Sequence, residues 1–326
     1  DVPYLYYLPQ SETSIAAALR EGGYRTWHVG KWHLGDRHAW PDAHGFDVNI
    51  AGSGWGAPQK GYFSPYAMPN LPDGPQGEYL TDRLTDEAIS LIRRRGGKPF
   101  FLHLSHYAVH IPIQSPPPLV EEYRSKAAAL GLDNRQALVE GERYPCFHKK
   151  GLRVQRRIVQ SDPAYAAMME NLDWNIGRLL AALEEIGQAA NTRLACTSDN
   201  GGLSTSEGSP TCNLPLAEGK GWMYEGGTRV CQIMRWPRVI KPGRLCDVPV
   251  TSTDFYPTFL EAAGLPPRPK QHRDGVTLMP LLKGRGRLRR DAIFWHYPHY
   301  SNQGGTPACS IRAGEWKLIE FFEDGR

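Results

Sequence analysis

The 326-residue sequence has no uninterrupted apolar stretch long enough to cross a bilayer, so nothing in it reads as a membrane span. It has no C-x-x-C pair. The six cysteines (146, 196, 212, 231, 246 and 309) are scattered, which argues against a zinc ribbon or a redox dithiol and leaves the compartment open. Charge of neither sign is massed: 38 Lys and Arg against 34 Asp and Glu give a formal net charge of +4. The densest basic runs, RRR at 93–95 and GRGRLRR at 284–290, have the size of a solvated helix end or loop, so charge indicates no nucleic-acid partner. There is no internal repeat and no low-complexity tract. Nor is there a starting Met or a signal peptide. The opening DVPYLYYLPQSE reads as the interior of a longer protein, because a helix start follows at once, and EWKLIEFFEDGR ends with a strand and turn under way. The expectation is a fragment cut at both ends, with any targeting segment outside it.

What is present alternates between two periods. SETSIAAALREGG has a polar start, an Ala/Leu interior and a double-glycine stop, the pattern of a helix. A strand at 24–29 follows, bracketed by Gly30 and leading into the loop GKWHLG. Residues 36–77 are rich in Gly, Pro and aromatics without steady period, a long excursion of the kind that is more often functional than idle. Residues 78–95 put Leu80, Leu84, Ala88, Leu91 and Ile92 on one helical face, and 99–105 reads as a buried strand running into a loop with His106 and His110. Residues 119–160 are basic, polar and irregular beyond a helix at 119–130, and look like an insertion. A long helix at 161–187 has Ser161 as its candidate N-cap and Pro163 just inside its start. Strands at 192–198 and 229–237 and a helix at 252–264 continue the alternation, which argues α/β with a largely parallel sheet. From about 288 the strand-like segments lose their intervening helices and suggest a small antiparallel subdomain, dividing the chain into 1–287 and 288–326.

Polar clusters sit at the ends of these strands: Lys31 and His33, then His110, then Asp199-Asn200, with Lys220 just before another strand. Parallel strands align their carboxyl ends, so such loops can converge on one site. Asp199 and Asn200 offer hard oxygen ligands suited to Ca²⁺ or Mg²⁺, but too few on their own, since Ca²⁺ takes roughly six to eight oxygens. Two lysines and two histidines suit a tetrahedral oxyanion, with a histidine available to move a proton at an ester oxygen. Together they point to hydrolysis or transfer of a charged ester. Singly, each residue has an ordinary reading. SDNGG is a good turn sequence, His110 can be a loop histidine, Lys220 a solvated lysine and Glu225 a turn or packing residue. His103 and His106 are read as structural.

GYRTWHVGKWHLG resembles the second motif of the type I, formylglycine-dependent sulfatases, of the alkaline-phosphatase-like superfamily. PFFLHLSHYAVHIPIQSP resembles that family's strand bearing a substrate-contacting histidine, TSDNGG its metal-binding Asp-Asn, and GKGWMYEGGTRVCQIMRWP its second lysine segment. TDFYPTFLEAAGL and DGVTLMPLLKG are similar to its downstream framework. The resemblance covers nearly the whole chain, with 119–160 the least similar part. It implies an α/β, alkaline-phosphatase-like sandwich, with a large mixed, mostly parallel sheet between helices and a small C-terminal antiparallel subdomain. It also implies sulfate-ester hydrolysis with a formylglycine nucleophile, made from Cys or Ser by a maturation enzyme, and one Ca²⁺. Carried over by motif, Lys31 and Lys220 would hold sulfate oxygens and His33 would help eliminate sulfate. His110 would assist the leaving alcohol, and Asp199 and Asn200 would complete the Ca²⁺ shell.

Two family features are missing: the Asp-Asp pair after the first strand, and C/S-x-P-x-R, which follows none of the six cysteines. Truncation accounts for both better than loss, and the polypeptide as it stands is expected to be inactive. The alternatives are a phosphodiesterase or phosphonate hydrolase of the same superfamily, and a non-catalytic binder of sulfated ligands. Substrate choice would lie in 36–77, 119–160 and the HYPHYSNQGG loop, with His296 and Trp55 as candidate sugar contacts and a carbohydrate sulfate as the expected substrate. Work outside the cytosol (periplasmic, secreted or lysosomal) is implied by the resemblance alone.

Overall fold

The computed structural model describes residues 3–323. Ser14 caps the first helix, α1 (Ile15–Glu21), by accepting the Ala17 N–H at 3.0 Å, and Gly22-Gly23 ends it. Strand β1 (Arg25–Gly30) is the centre of a parallel sheet in the order β2-β1-β3, with β2 at Val48–Ile50 and β3 at Phe100–Ser105. Its last residue pairs with Ser105 across β3. Gly30 has φ 104°, and a Cβ there would sit 2.0 Å from the Ser105 carbonyl oxygen, so the approach of the two strand ends requires glycine.

Helix α2 (Leu80–Arg93) covers this sheet with the stripe that its spacing predicts: Leu80, Leu84, Ala88, Leu91 and Ile92 are all buried. Helix α3 (Pro117–Ala129) follows β3. The region 130–160, expected to be irregular, instead forms a hairpin of β4 (Leu138–Arg143) and β5 (Arg153–Arg157). Alternating apolar residues, the usual strand signal, are nearly absent from it. Charge pairs hold the ribbon, Arg156 to Glu142 at 2.6 Å and Arg153 to Glu140 at 3.3 Å, and only Val154 is fully buried, with Tyr144 and Cys146.

Helix α4 (Pro163–Glu185) is capped by Asp162, which accepts the Tyr165 N–H at 3.0 Å. Ser161, the expected cap, accepts from Arg157 at 2.8 Å instead and ties the hairpin to the helix start. Asn171 and Asn175 of α4 donate to Asp82 of α2 at 2.9 and 2.7 Å, pinning the two helices together. Strand β6 (Leu194–Thr197) and, after the short helix α5 (Glu225–Thr228), β7 (Gln232–Arg235) pair antiparallel with each other, not as further parallel strands. Parallel pairing needs a crossover with a helix on the sheet face. The 198–231 connection is spent on loops, and four residues of helix return the chain the other way.

Helices α6 (Phe255–Ala262) and α7 (Met279–Leu282) lead to the antiparallel sheet expected near the C-terminus, β8 (Ala292–Tyr297), β9 (Ala308–Ala313) and β10 (Trp316–Phe321), in the order β10-β9-β8. One face of it packs on α5 through Lys317, whose Nζ donates to Thr228 Oγ1 at 2.6 Å and lies 3.3 Å from Glu225. Glu225 is thus the packing residue the sequence allowed. No helix among the described residues is long and apolar enough to cross a membrane.

Candidate active site

The sheet ends build the site. Past Gly30 the Lys31 N–H donates to the Ser105 carbonyl at 2.7 Å, so the loop leaves the sheet where β3 ends. His33 takes a left-handed backbone, φ 59°, unusual for a non-glycine residue, and donates its N–H to the Ser53 carbonyl at 2.9 Å. Of the histidines near this loop, His28 is structural. It is fully buried, its Nε2 lies 3.0 Å from the Gly30 carbonyl, and its Nδ1 lies 3.1 Å from Nδ1 of His103. Burial, and then the neighbouring His103 ring, push its pKa down to about 3.

The second half of the site comes from two segments far apart in sequence. His110 lies on the turn after β3, with its carbonyl accepting from the buried Tyr62 hydroxyl at 2.8 Å. Its Nδ1 faces the Ile111 carbonyl at 3.1 Å, and that acceptor fixes Nδ1 as the protonated nitrogen. Nε2 is left with a lone pair, and it meets Lys220 Nζ at 2.9 Å. The Lys220 loop is tied to the Asp199-Asn200 loop through two backbone bonds, Lys220 N–H to Gly202 at 3.0 Å and Gly201 N–H to Gly227 at 2.9 Å.

These groups share one electrostatic field. Burial lowers the Lys31 pKa, the Asp199 carboxylate pulls it back up, and Lys220 depresses it further. Burial also lowers His33, with Lys31 and then Lys220 adding to the effect. For His110 burial again leads; the bond to Ile111 opposes it, the two lysines reinforce it, and Glu207 raises the pKa slightly. Lowered from the ordinary histidine value, both imidazoles are uncharged at neutral pH, bases set beside two lysine side chains that suit an anion.

Asp199 is exposed and Asn200 half-buried at the end of β6. Asn200 Nδ2 donates to the Gly201 carbonyl at 2.8 Å, which leaves its amide oxygen for other use, and Asp199 makes no hydrogen bond among the described residues. In kind these two oxygens suit a hard cation; in number they are two, and the described residues contain no cluster of three or more His, Cys, Asp and Glu able to hold a metal.

The structure thus brings Lys31, His33, His110, Lys220 and Asp199 together. Trp55 lies on the loop whose Ser53 carbonyl holds His33, with its side chain packed against the main core. His296 is not brought to the cluster. It pairs with Cys309 on the solvent side of the C-terminal sheet, while Ile293 and Lys317 occupy the side facing α5. Sequence reading missed Tyr62, Ser53 and Glu207. Glu207 is exposed at the tip of a turn whose Thr205, Ser206 and Ser209 are buried and bonded to Gln303, Asn302 and Gln155. A polar run such as STSEGS carries no periodic signal.

Residues 2–265 match the sulfatase family profile, and 218–326 match the profile described as N-sulphoglucosamine sulphohydrolase, C-terminal. A sulfatase of Formosa agariphila is 34% identical over 287 residues, which cover 82% of this chain and 45% of that one. N-acetylgalactosamine-6-sulfatase of Canis lupus familiaris is 29% identical over 335 residues, covering 95% and 54%. The crystal structure of Ps i-CgsB in complex with k-i-k-neocarrahexaose superposes with a TM-score of 0.73 at 26% identity, covering 98% of this chain and 68% of that one. The chain spans about half the length of the curated relatives it matches. Its parallel sheet and its flanking antiparallel sheets are those of the alkaline-phosphatase-like fold, and the chain belongs to the sulfatase family.

Proposed function

We propose that the complete protein hydrolyses a carbohydrate sulfate ester outside the cytosol, using a formylglycine nucleophile installed by a maturation enzyme on a segment beyond the present sequence, and Ca²⁺ held in part by Asp199 and Asn200. The observation that carries the reading is the Lys220–His110 bond of 2.9 Å in the same field as Lys31 and His33. When bound, Ca²⁺ supplies positive charge beside the sulfate oxygens, and the hydrated formylglycine supplies the attacking hydroxyl.

The chain's own residues divide the remaining work. Lys31 and Lys220 grip the non-bridging sulfate oxygens, where their low-dielectric setting strengthens the attraction. In the free protein Lys220 donates to His110 Nε2; a sulfate in the seat would take over that donor. As it turns to the sulfate, Lys220 leaves one proton on Nε2, which passes it to the bridging oxygen as the sulfur–oxygen bond breaks; Lys220 ends as the neutral amine, and Nδ1 keeps the ring oriented through Ile111. His33, neutral and open to solvent, accepts the proton released when sulfate is expelled. A sugar as leaving group is supported by exposed aromatic faces beside the site. Tyr4, Tyr6 and Tyr7 precede Leu8, whose N–H bonds the Leu34 carbonyl next to His33, and Tyr4 stacks edgewise on His299.

The test is sulfate release by the full-length protein, matured and supplied with Ca²⁺, from a panel of aryl and carbohydrate sulfates. Turnover is expected, falling about 10²–10³-fold on Lys220→Ala. No turnover would overturn the reading, and faster turnover of phosphonate esters would favour a phosphonate hydrolase. The 326-residue chain alone is expected to release no sulfate, since none of its six cysteines is followed by x-Pro-x-Arg; any release by it would contradict the assignment of the nucleophile.

A further inference from the structure

His33 has a strained backbone and an exposed side chain, so burial does not fix where its ring lies. Its backbone is fixed by the Ser53 carbonyl at 2.9 Å. Its ring lies on Gly56, three residues further along the same loop. A Cβ built on Gly56 would fall 2.5 Å from His33 Cε1 and 2.8 Å from both ring nitrogens, and no backbone atom is among its three nearest neighbours. The backbone of Gly56 lies outside the left-handed region, so an L-residue fits its conformation. The neighbouring glycines differ. A Cβ on Gly52 would meet Asn49 Oδ1 at 2.3 Å and the structural His28, and one on Gly54 would meet the Gly35 carbonyl at 3.0 Å. Substitution at Gly52 or Gly54 would therefore disturb the framework. At Gly56 the three nearest atoms all belong to one imidazole, which can rotate away.

We propose that Gly56 is a positioning residue for His33, its missing side chain setting the depth and plane of the imidazole in the anion seat. The kinetic part rests on the reading of the site as a sulfate-ester hydrolase; the structural part does not. A single methyl would displace the ring by about an ångström, a misplacement of the kind that can cost about 10²-fold in rate.

The test is Gly56→Ala, beside Gly177→Ala on α4, where an added Cβ meets nothing within 4 Å. In the chain, Gly56→Ala is expected to move the His33 imidazole ¹H and ¹⁵N resonances and abolish the contact between its ring protons and the residue 56 Hα, with other backbone amides unchanged. In the full-length enzyme kcat is expected to fall about 100-fold with KM within about twofold, while Gly177→Ala changes neither. If Gly56→Ala folds poorly, the double variant His33→Ala/Gly56→Ala decides: it should melt with His33→Ala alone, because the ring that a residue-56 Cβ meets first has been removed. Unmoved His33 resonances with unchanged kcat would overturn the proposal, as would a double variant as unstable as Gly56→Ala. A full-length protein that turns over no sulfate ester would refute the functional reading alone, leaving the His33 resonances to decide the positioning role.

Discussion

The two arms of the site are held by different means. The Lys31–His33 arm is a continuation of the parallel sheet: Gly30 packs on Ser105, Lys31 is bonded to Ser105, and His33 to Ser53, all through backbone. The His110–Lys220 arm closes through one side-chain contact between residues 110 positions apart, on two loops joined to different strands. The first arm is rigid whatever its side chains carry. The second depends on the protonation of an imidazole and on whether a ligand competes for an ammonium. A sulfate seat built this way has one fixed wall and one responsive wall, and the responsive wall is where a leaving group needs its proton.

The comparison breaks most visibly at Gly30→Ala. A Cβ 2.0 Å from the Ser105 carbonyl at φ 104° should cost about 3 kcal/mol or more, read as a lower urea midpoint, and should displace Lys31 with it. Unchanged stability would mean that the strand ends are looser than the register implies. A smaller effect comes from acid. His28, buried behind the rigid arm, has its pKa lowered from 6.5 to about 3, so its neutral form favours the folded state. That stability is full above pH 6.5 and is lost as pH falls toward 3. Urea midpoints measured over this window should fall with pH in the wild type and be flatter in His28→Phe. Parallel curves would assign acid lability elsewhere.

Much of the rigid arm was legible in the sequence, because each part carries a local signal. The β-rich run before Gly30, the helical stripe on α2 and the glycine stops all act over a few residues, and they recur in the structure within one or two positions. The responsive arm was legible only as residue types. Nothing within GKGWMYEGG announces that Lys220 meets His110, since the contact spans elements placed by the whole fold. The hairpin at 138–157 was illegible for a different reason. Its strands are stabilised by Arg–Glu pairs and one buried valine, so the apolar alternation that identifies a strand is missing. Tertiary contacts also moved the α4 cap from Ser161 to Asp162, since Arg157 claims the serine hydroxyl. His296 looked available on a β-run, but a strand's alternation sends it to the sheet face opposite α5.

The central claim is that Lys31, His33, His110 and Lys220 form one anion seat. Titrating inorganic sulfate into the ¹⁵N-labelled chain while following its histidine imidazole resonances tests this without the nucleophile or a substrate. His33 and His110 are expected to shift together with a single saturation curve, which Lys220→Met weakens about tenfold or more. Shifts confined to one of the two histidines, or a curve untouched by Lys220→Met, would contradict it.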